Sequence, residues 1–279
     1  MSLSDLRLDF CYDSGPNDLG NDFYIPCLAE SISYDRAVGF FSSSIFEINW
    51  KGLRRFLSNG GKIRLVCSHI LQSKDFEAIE AAALKAHDVV DRQIQEEIET
   101  MMVHNKSKAA LYVLGYLVGT NRLKLKIAIP TAAIGTQSLS IFHSKIGIFK
   151  DSTNNQVVFK GSSNESKGAF SPKGNIETLD VFCSWVNKSE KKRVDKASAD
   201  FELLWTNTAK DLQTFDFPEA SRRRLLKFAD EKEFDRALTS LESEQSEHDT
   251  PNFESKPVVG ASTVSLNVTF RKHQESALK

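Results

Sequence analysis

The sequence predicts an α/β protein, a mixed β-sheet flanked by helices with a helical appendage towards the C-terminus. Three observations carry that expectation. Residues 35–68 read as strand, helix, strand; period-two strands recur between 122 and 185; and the stretch from 188 to 247 turns charged and helical in pattern. Alternation between the two periodicities is what a sheet covered by helices requires.

DRAVGFFSSSIF, 35–46, reads as a strand closing into a Ser-rich loop and then a helix. In GLRRFLSNGG, 52–61, Leu53, Phe56 and Leu57 recur at helical spacing, and the Asn-Gly-Gly run is a C-terminal stop. KIRLVCS, 62–68, places Ile63, Leu65 and Cys67 on one face of a strand. A long helix is expected from Phe76 to Met101, and a second over 106–119. RLKLKIAIP, 122–130, alternates Leu123, Leu125, Ile127 and Ile129 with Arg122, Lys124 and Lys126, a strand with one wet face near its start. TAAIGTQSL is a loop. Three further strands follow: IFHSKIGIFK (141–150), QVVFK (156–160) and ETLDVFCSW (177–185), with DSTNN as the first intervening turn. Phe201, Leu204 and Trp205 are the expected anchors of the helical stretch.

A chain of 279 residues, 41% of them hydrophobic, suits one large domain with an appendage. The expected division is 1–187 for the domain, 188–247 for the appendage, and 248–263 for a Pro-, Gly- and Ser-bearing linker, with 264–279 as the start of something further. Thirty-six Lys and Arg against thirty-seven Asp and Glu leave no overall basic excess, so any anion site must be local. The four scattered cysteines form no CxxC pair, which speaks against a zinc site and implies no disulfide framework; reduced thiols in a cytoplasmic protein are expected. The most apolar run, ALYVLGYLV, is too short to span a bilayer, and no membrane role is expected.

The polar residues on or beside the last three strands carry the chemistry. His143 and Lys145 stand two apart, hence on one face; Gly161, Ser162 and Asn164 close the next strand; and Glu177 opens the third. Consecutive strands often lie side by side, and strand ends in α/β sheets are where sites form. A phosphodiester needs a nucleophile and donors for its non-bridging oxygens. Imidazole can be the nucleophile, through a covalent phosphohistidine. Lys145 and the Asn164 amide can hold the oxygens as charge builds, Gly161 permits the turn that brings Ser162 close, and a carboxylate such as Glu177 can fix a histidine tautomer.

His143-x-Lys145 followed on the next strand by Gly161-Ser162-x-Asn164 resembles the HxK…GSxN signature of the phospholipase D superfamily, and the resemblance covers roughly residues 30–187. It implies a phospholipase D-like fold and metal-independent cleavage of phosphodiesters through a histidine intermediate. Glu177 resembles the glutamate of the superfamily's metal-independent restriction endonucleases. The full motif has an aspartate five residues beyond its lysine; position 150 is Lys here and Asp151 falls one residue late, a departure that favours Glu177 as the histidine's partner and argues against a lipase. One HxK is half an active site, so the resemblance further implies a homodimer with His143 from each subunit, one attacking and the other protonating the leaving oxygen.

Phe270-Arg-Lys-His-Gln274 followed by Ala277-Leu278 resembles the opening of a superfamily 2 helicase core, which implies a nuclease coupled to an ATP-driven translocase in a restriction or defence protein. No cofactor is expected for the domain itself, and ATP only with such a core. His69 and Phe40–Phe41 are better read as structural residues, and the Arg222–Arg224 and Lys188–Arg193 clusters as solvated helix faces. The expected function is a DNA endonuclease, with DNA favoured over RNA. A catalytically silent nucleic-acid-binding or dimerisation module and a phospholipase-type phosphodiesterase stand as alternatives.

Overall fold

The computed structural model describes residues 2–39, 41, 45–68, 91–92, 94–96, 98–99, 102, 105–130, 142–171 and 174–248. Eight strands form one sheet: β1 (Cys11–Asp13), β2 (Ser33–Val38), β3 (Lys62–Ser68), β4 (Leu123–Pro130), β5 (Ile146–Lys150), β6 (Gln156–Gly161), β7 (Thr178–Cys183) and β8 (Leu212–Asp216). Their spatial order is β1-β7-β6-β5-β2-β3-β4-β8. The β2, β3 and β4 strands run parallel, while β5, β6, β7 and β1 add antiparallel on one side and β8 adds antiparallel on the other. The fold is therefore α/β with a mixed sheet, as the sequence predicts.

Helices cover both faces. On one side lie α1 (Ile25–Ala29), α2 (Phe46–Ser58), α3 (Asn105–Gly119) and α7 (Glu231–His248), through residues such as Leu53, Phe56, Leu114, Leu117 and Leu238. On the other, α5 (Lys188–Trp205) presses Val194, Ala197, Phe201 and Leu204 onto Ala37, Val66, Ala128, Ile148 and Val158. A central strand buried on both faces needs apolar residues at successive positions, which is why Val157, Val158 and Phe159 follow one another without a polar break. The short α4 (Lys167–Phe170) and α6 (Glu219–Leu226) complete the layers. The α3 helix approaches its neighbours closely because it is bare at two positions: a Cβ on Gly115 would lie 2.7 Å from the Leu225 carbonyl, and one on Gly119 would lie 2.6 Å from Ala229 Cβ.

Where α2 ends, Asn59 caps it and Gly60 adopts φ +80°, the left-handed conformation that the Asn-Gly-Gly stop predicts. Two boundaries differ from the sequence reading. Residues 188–247, expected as a helical appendage, also supply β8, and α5 closes the second face of the sheet, so this stretch shares the domain's core. The strand expected over 141–150 begins only at Ile146, because its ladder partners stop there: β2 ends at Val38 and β6 at Gly161. Of the long helix expected over 76–101, Ile94 and Ile98 are buried as predicted, and most of the rest lies outside the described residues. So do Phe40, His69, residues 131–141 with the loop expected over 131–139, and 249–279 with most of the expected linker and the helicase-like segment.

Candidate active site

One end of the sheet gathers the polar residues. There β2 and β6 finish while β5 and β7 begin. The ladder pairs Ile146 with both Ala37 and Lys160, so Lys145 enters between the ends of β2 and β6. The His143 side chain is exposed, whereas Lys145 is buried. Lys145 Nζ lies 2.7 Å from His143 Nε2. An ammonium has no acceptor, so a charged Lys145 donates to Nε2 and the ring proton sits on Nδ1. Burial pushes the Lys145 ammonium below the usual lysine range; the Glu177 carboxylate pulls it back, and the Arg36 cation adds to the lowering. The histidine can come this close to β2 because Gly39 is bare: a Cβ there would lie 3.0 Å from His143 Cδ2.

The Gly161-Ser162-Ser163-Asn164 turn follows β6 directly. Gly161 is required by a close approach, since a Cβ on it would meet the Thr178 carbonyl oxygen at 1.9 Å. Ser162 N–H donates to that same carbonyl at 3.2 Å. Asn164 is half-buried, and its Oδ1 is buried with no hydrogen-bond partner among the described residues.

Glu177 is buried at the start of β7. Its Oε2 accepts from Ser162 Oγ, and its Oε1 accepts from Asn175 Nδ2 at 3.1 Å. Among the described residues no hydrogen bond joins Glu177 to His143. The carboxylate meets the site through Ser162 and through its charge on Lys145.

Asp151 stands apart. It follows β5 at the end opposite Lys145, roughly 25 Å from His143 at the rise of an extended chain. Its carboxylate is fully engaged there. It accepts from Ser2 Oγ at 2.6 Å, Leu3 N at 3.0 Å, and Thr153 N and Asn155 N at 2.9 Å each. Hydrogen bonds from Ser2, Thr153, Leu3 and Asn155 outweigh the opposing effect of burial and hold its pKa at about 2.

Beneath the turn lies a group that the sequence reading missed. Arg36 on β2 is fully buried and ion-paired to buried Glu165 at 2.8 Å. Tyr24 and Tyr34 hydroxyls also donate to Glu165. One signal was present: Arg36 alternates with Tyr34 and Val38 on the inward face of β2, where an apolar residue is expected.

Members of the two basic clusters pair away from this site. Arg222 and Arg223 pair with Glu219 on their own helix, and Arg224 pairs with Glu99. Lys188–Arg193 opens α5, which leaves the sheet from the end of β7 opposite the site; Lys191 there pairs with Asp195 and Arg193 lies over Phe182. Among the described residues no group of three or more His, Cys, Asp or Glu could hold a metal ion, and no helix is long and apolar enough to cross a membrane.

The fold and site together describe a mixed α/β domain with a histidine, a lysine and a polar turn at one end of its sheet. No family model and no curated protein matches the chain. Among solved structures, it is similar to NucT from Helicobacter pylori at 16% identity, TM-score 0.45, over 74% of this chain and 97% of that one. It is similar to polyphosphate kinase from Porphyromonas gingivalis at 9% identity, TM-score 0.39, over 87% of this chain but 29% of that one. It is also similar to phosphatidylserine synthase of Haemophilus influenzae at 11% identity, TM-score 0.40, over 82% of this chain and 45% of that one.

Proposed function

We propose that the chain is a phosphodiesterase of the phospholipase D type, acting as a nuclease on DNA. The observation that supports it most is the 2.7 Å approach of Lys145 Nζ to His143 Nε2. A nucleophilic nitrogen and a cation there converge on one point at an exposed sheet end. A phosphate at that point receives Lys145 on its non-bridging oxygens and presents its phosphorus to Nε2.

In this reading Nε2 attacks phosphorus, the P–O bond to the leaving oxygen breaks, and a phosphohistidine forms. His143 of the partner subunit in a homodimer gives its proton to the leaving oxygen. Water then attacks the phosphohistidine, yields its proton to that same partner imidazole, and frees Nε2. Lys145 and the Asn164 amide hold the oxygens as charge develops. Ser162 assists from the turn that Gly161 permits. Glu177 keeps Ser162 in place and balances the Lys145 charge, a role through the serine where the sequence had suggested one on the histidine ring. The domain's own chemistry calls for no cofactor. A helicase core beyond 264–279, with its ATP, belongs to the same reading and would make the chain the nuclease part of a restriction or defence protein.

Cleavage of labelled single- and double-stranded DNA in EDTA, beside His143→Ala, tests this. Cutting in EDTA that vanishes in the variant is the expected result. A folded wild-type chain that binds DNA equally well with and without His143, and never cuts, would replace the nuclease by a binding module.

A further inference from the structure

The polar turn is held from below by an ion pair that the reaction scheme does not use. Arg36 Nε donates to Glu165 Oε2 at 2.8 Å, and Arg36 Nη2 donates to the Ser163 carbonyl at 2.6 Å. Asn164 is the residue between those two. One buried guanidinium thus grips the backbone before the phosphate-binding amide and the side chain after it. Glu165 is fixed in turn by the Tyr24 hydroxyl, by the Tyr34 hydroxyl at 3.1 Å, and by a β-bridge to Phe41.

The neighbouring strands leave room for this grip. Arg36 is paired with Gly147, which is paired with Phe159. A Cβ on Gly147 would lie 2.0 Å from the Phe159 ring, so only a bare position lets the ring lie there. The Arg36 guanidinium rests over that ring, 4.8 Å from its centroid. Gly147 is two residues beyond Lys145 in the chain.

A buried ion pair returns little net stability, and an apolar pair of equal volume often serves folding as well. What an apolar pair lacks is a planar fork of donors with fixed directions. We propose that Arg36 is a positioning residue for the phosphodiester reaction: through Glu165 and the Ser163 carbonyl it holds Asn164 where the amide meets the phosphate. This rests on the phosphodiesterase reading and assigns its turn a support. The lowering effect of Arg36 on the Lys145 ammonium agrees with a cation set close beneath the phosphate.

Arg36→Lys keeps the charge and loses the fork. Cleavage kinetics and calorimetric binding of inorganic phosphate are measured for wild type, Arg36→Lys, Asn164→Ala and the double variant, with thermal melts alongside. Arg36→Lys is expected to lower kcat/KM and phosphate affinity about tenfold or more, since small misplacements of a binding group are costly. In the Asn164→Ala background the same change is expected to cost less than about threefold, because effects that run through one residue do not multiply. Multiplicative losses, or no loss in a folded Arg36→Lys, overturn the proposal. Should Arg36→Lys fail to fold, Glu165→Gln replaces it under the same criterion. A wild type that binds phosphate but never cuts sinks the phosphodiesterase reading alone, and the phosphate arm still decides the role of Arg36. A wild type that does neither sinks both.

Discussion

Gly39 and His143 are in contact: a Cβ on Gly39 would lie 3.0 Å from His143 Cδ2 and 3.3 Å from the Phe142 carbonyl. The end of β2 therefore acts as a stop for the imidazole, and a side chain at position 39 displaces the ring. Gly39→Ala is expected to cut the rate of DNA cleavage about tenfold or more by shifting the exposed ring, and to lower the melting temperature modestly through its contact with the Phe142 carbonyl. Rate and melt measured on the same preparation check it. An unchanged rate would mean the ring's place is set elsewhere.

Lys145 gives a pH signature. Burial favours its neutral form, so the folded chain releases this proton at a lower pH than the ordinary 10.5 of a free lysine. Inorganic phosphate affinity should fall on an alkaline limb below that value, and Lys145→Arg should abolish the limb because a guanidinium does not titrate there. The sign of the stability effect separates this from unfolding. Between the lowered value and 10.5 the unfolded chain binds more protons, so this group makes the fold more stable as pH rises. Calorimetric titrations at several pH values, with melts beside them, read both.

Asp151 works in the opposite direction. Its folded pKa of about 2 lies below the ordinary 3.8, so its contribution is complete above pH 4 and is lost as pH falls towards 2. Asp151→Asn is expected to destabilise the chain by roughly 2 kcal/mol at neutral pH and to flatten the acid limb of the stability curve. Because the carboxylate serves the turn and the Ser2–Leu3 segment, cleavage well below the melting temperature should stay within about threefold of wild type. A loss near that of His143→Ala would return Asp151 to the active site.

At Gly161 the conflict is with backbone. A Cβ would lie 1.9 Å from the Thr178 carbonyl oxygen, so Gly161→Ala must push β6 and β7 apart where Ser162 N–H bonds that carbonyl. A cost of about 2 kcal/mol and loss of most cleavage are expected, the latter because the displacement reaches Ser162 and Asn164. Urea unfolding and cleavage rates check the two parts. Gly161→Ala with native stability would mean that the strands re-pair without strain.

Period and punctuation were enough to read most of the sheet. Ile63, Leu65 and Cys67 do share a face of β3, and Leu123, Leu125, Ile127 and Ile129 are buried along β4. The strands expected to bring His143, Lys145, Gly161 and Glu177 together are adjacent, because β5, β6 and β7, consecutive in the chain, pair antiparallel side by side. Other features were beyond local pattern. The charged surface of α5 concealed Val194 and Ala197, which close the second face together with the expected anchors Phe201 and Leu204, and β8 is too short and mixed to announce its place beside β4.

Turn residues and alternation are local signals, so the linear chain sufficed to mark the Gly161–Asn164 turn and the strand that Lys145 precedes; His143 and Lys145 stand ahead of β5 and meet there through Nε2 and Nζ. Partners distant in the chain are chosen by packing. Arg36 meets Glu165, 129 residues away, because β2 lies beside β5 and β6 beside that. Glu177 meets Ser162 because β7 starts where β6 stops, and Asp151 is drawn to Ser2 and Leu3 because β5 carries it to the far end of the sheet. A buried charge must find its partner in three dimensions, whatever the separation in sequence.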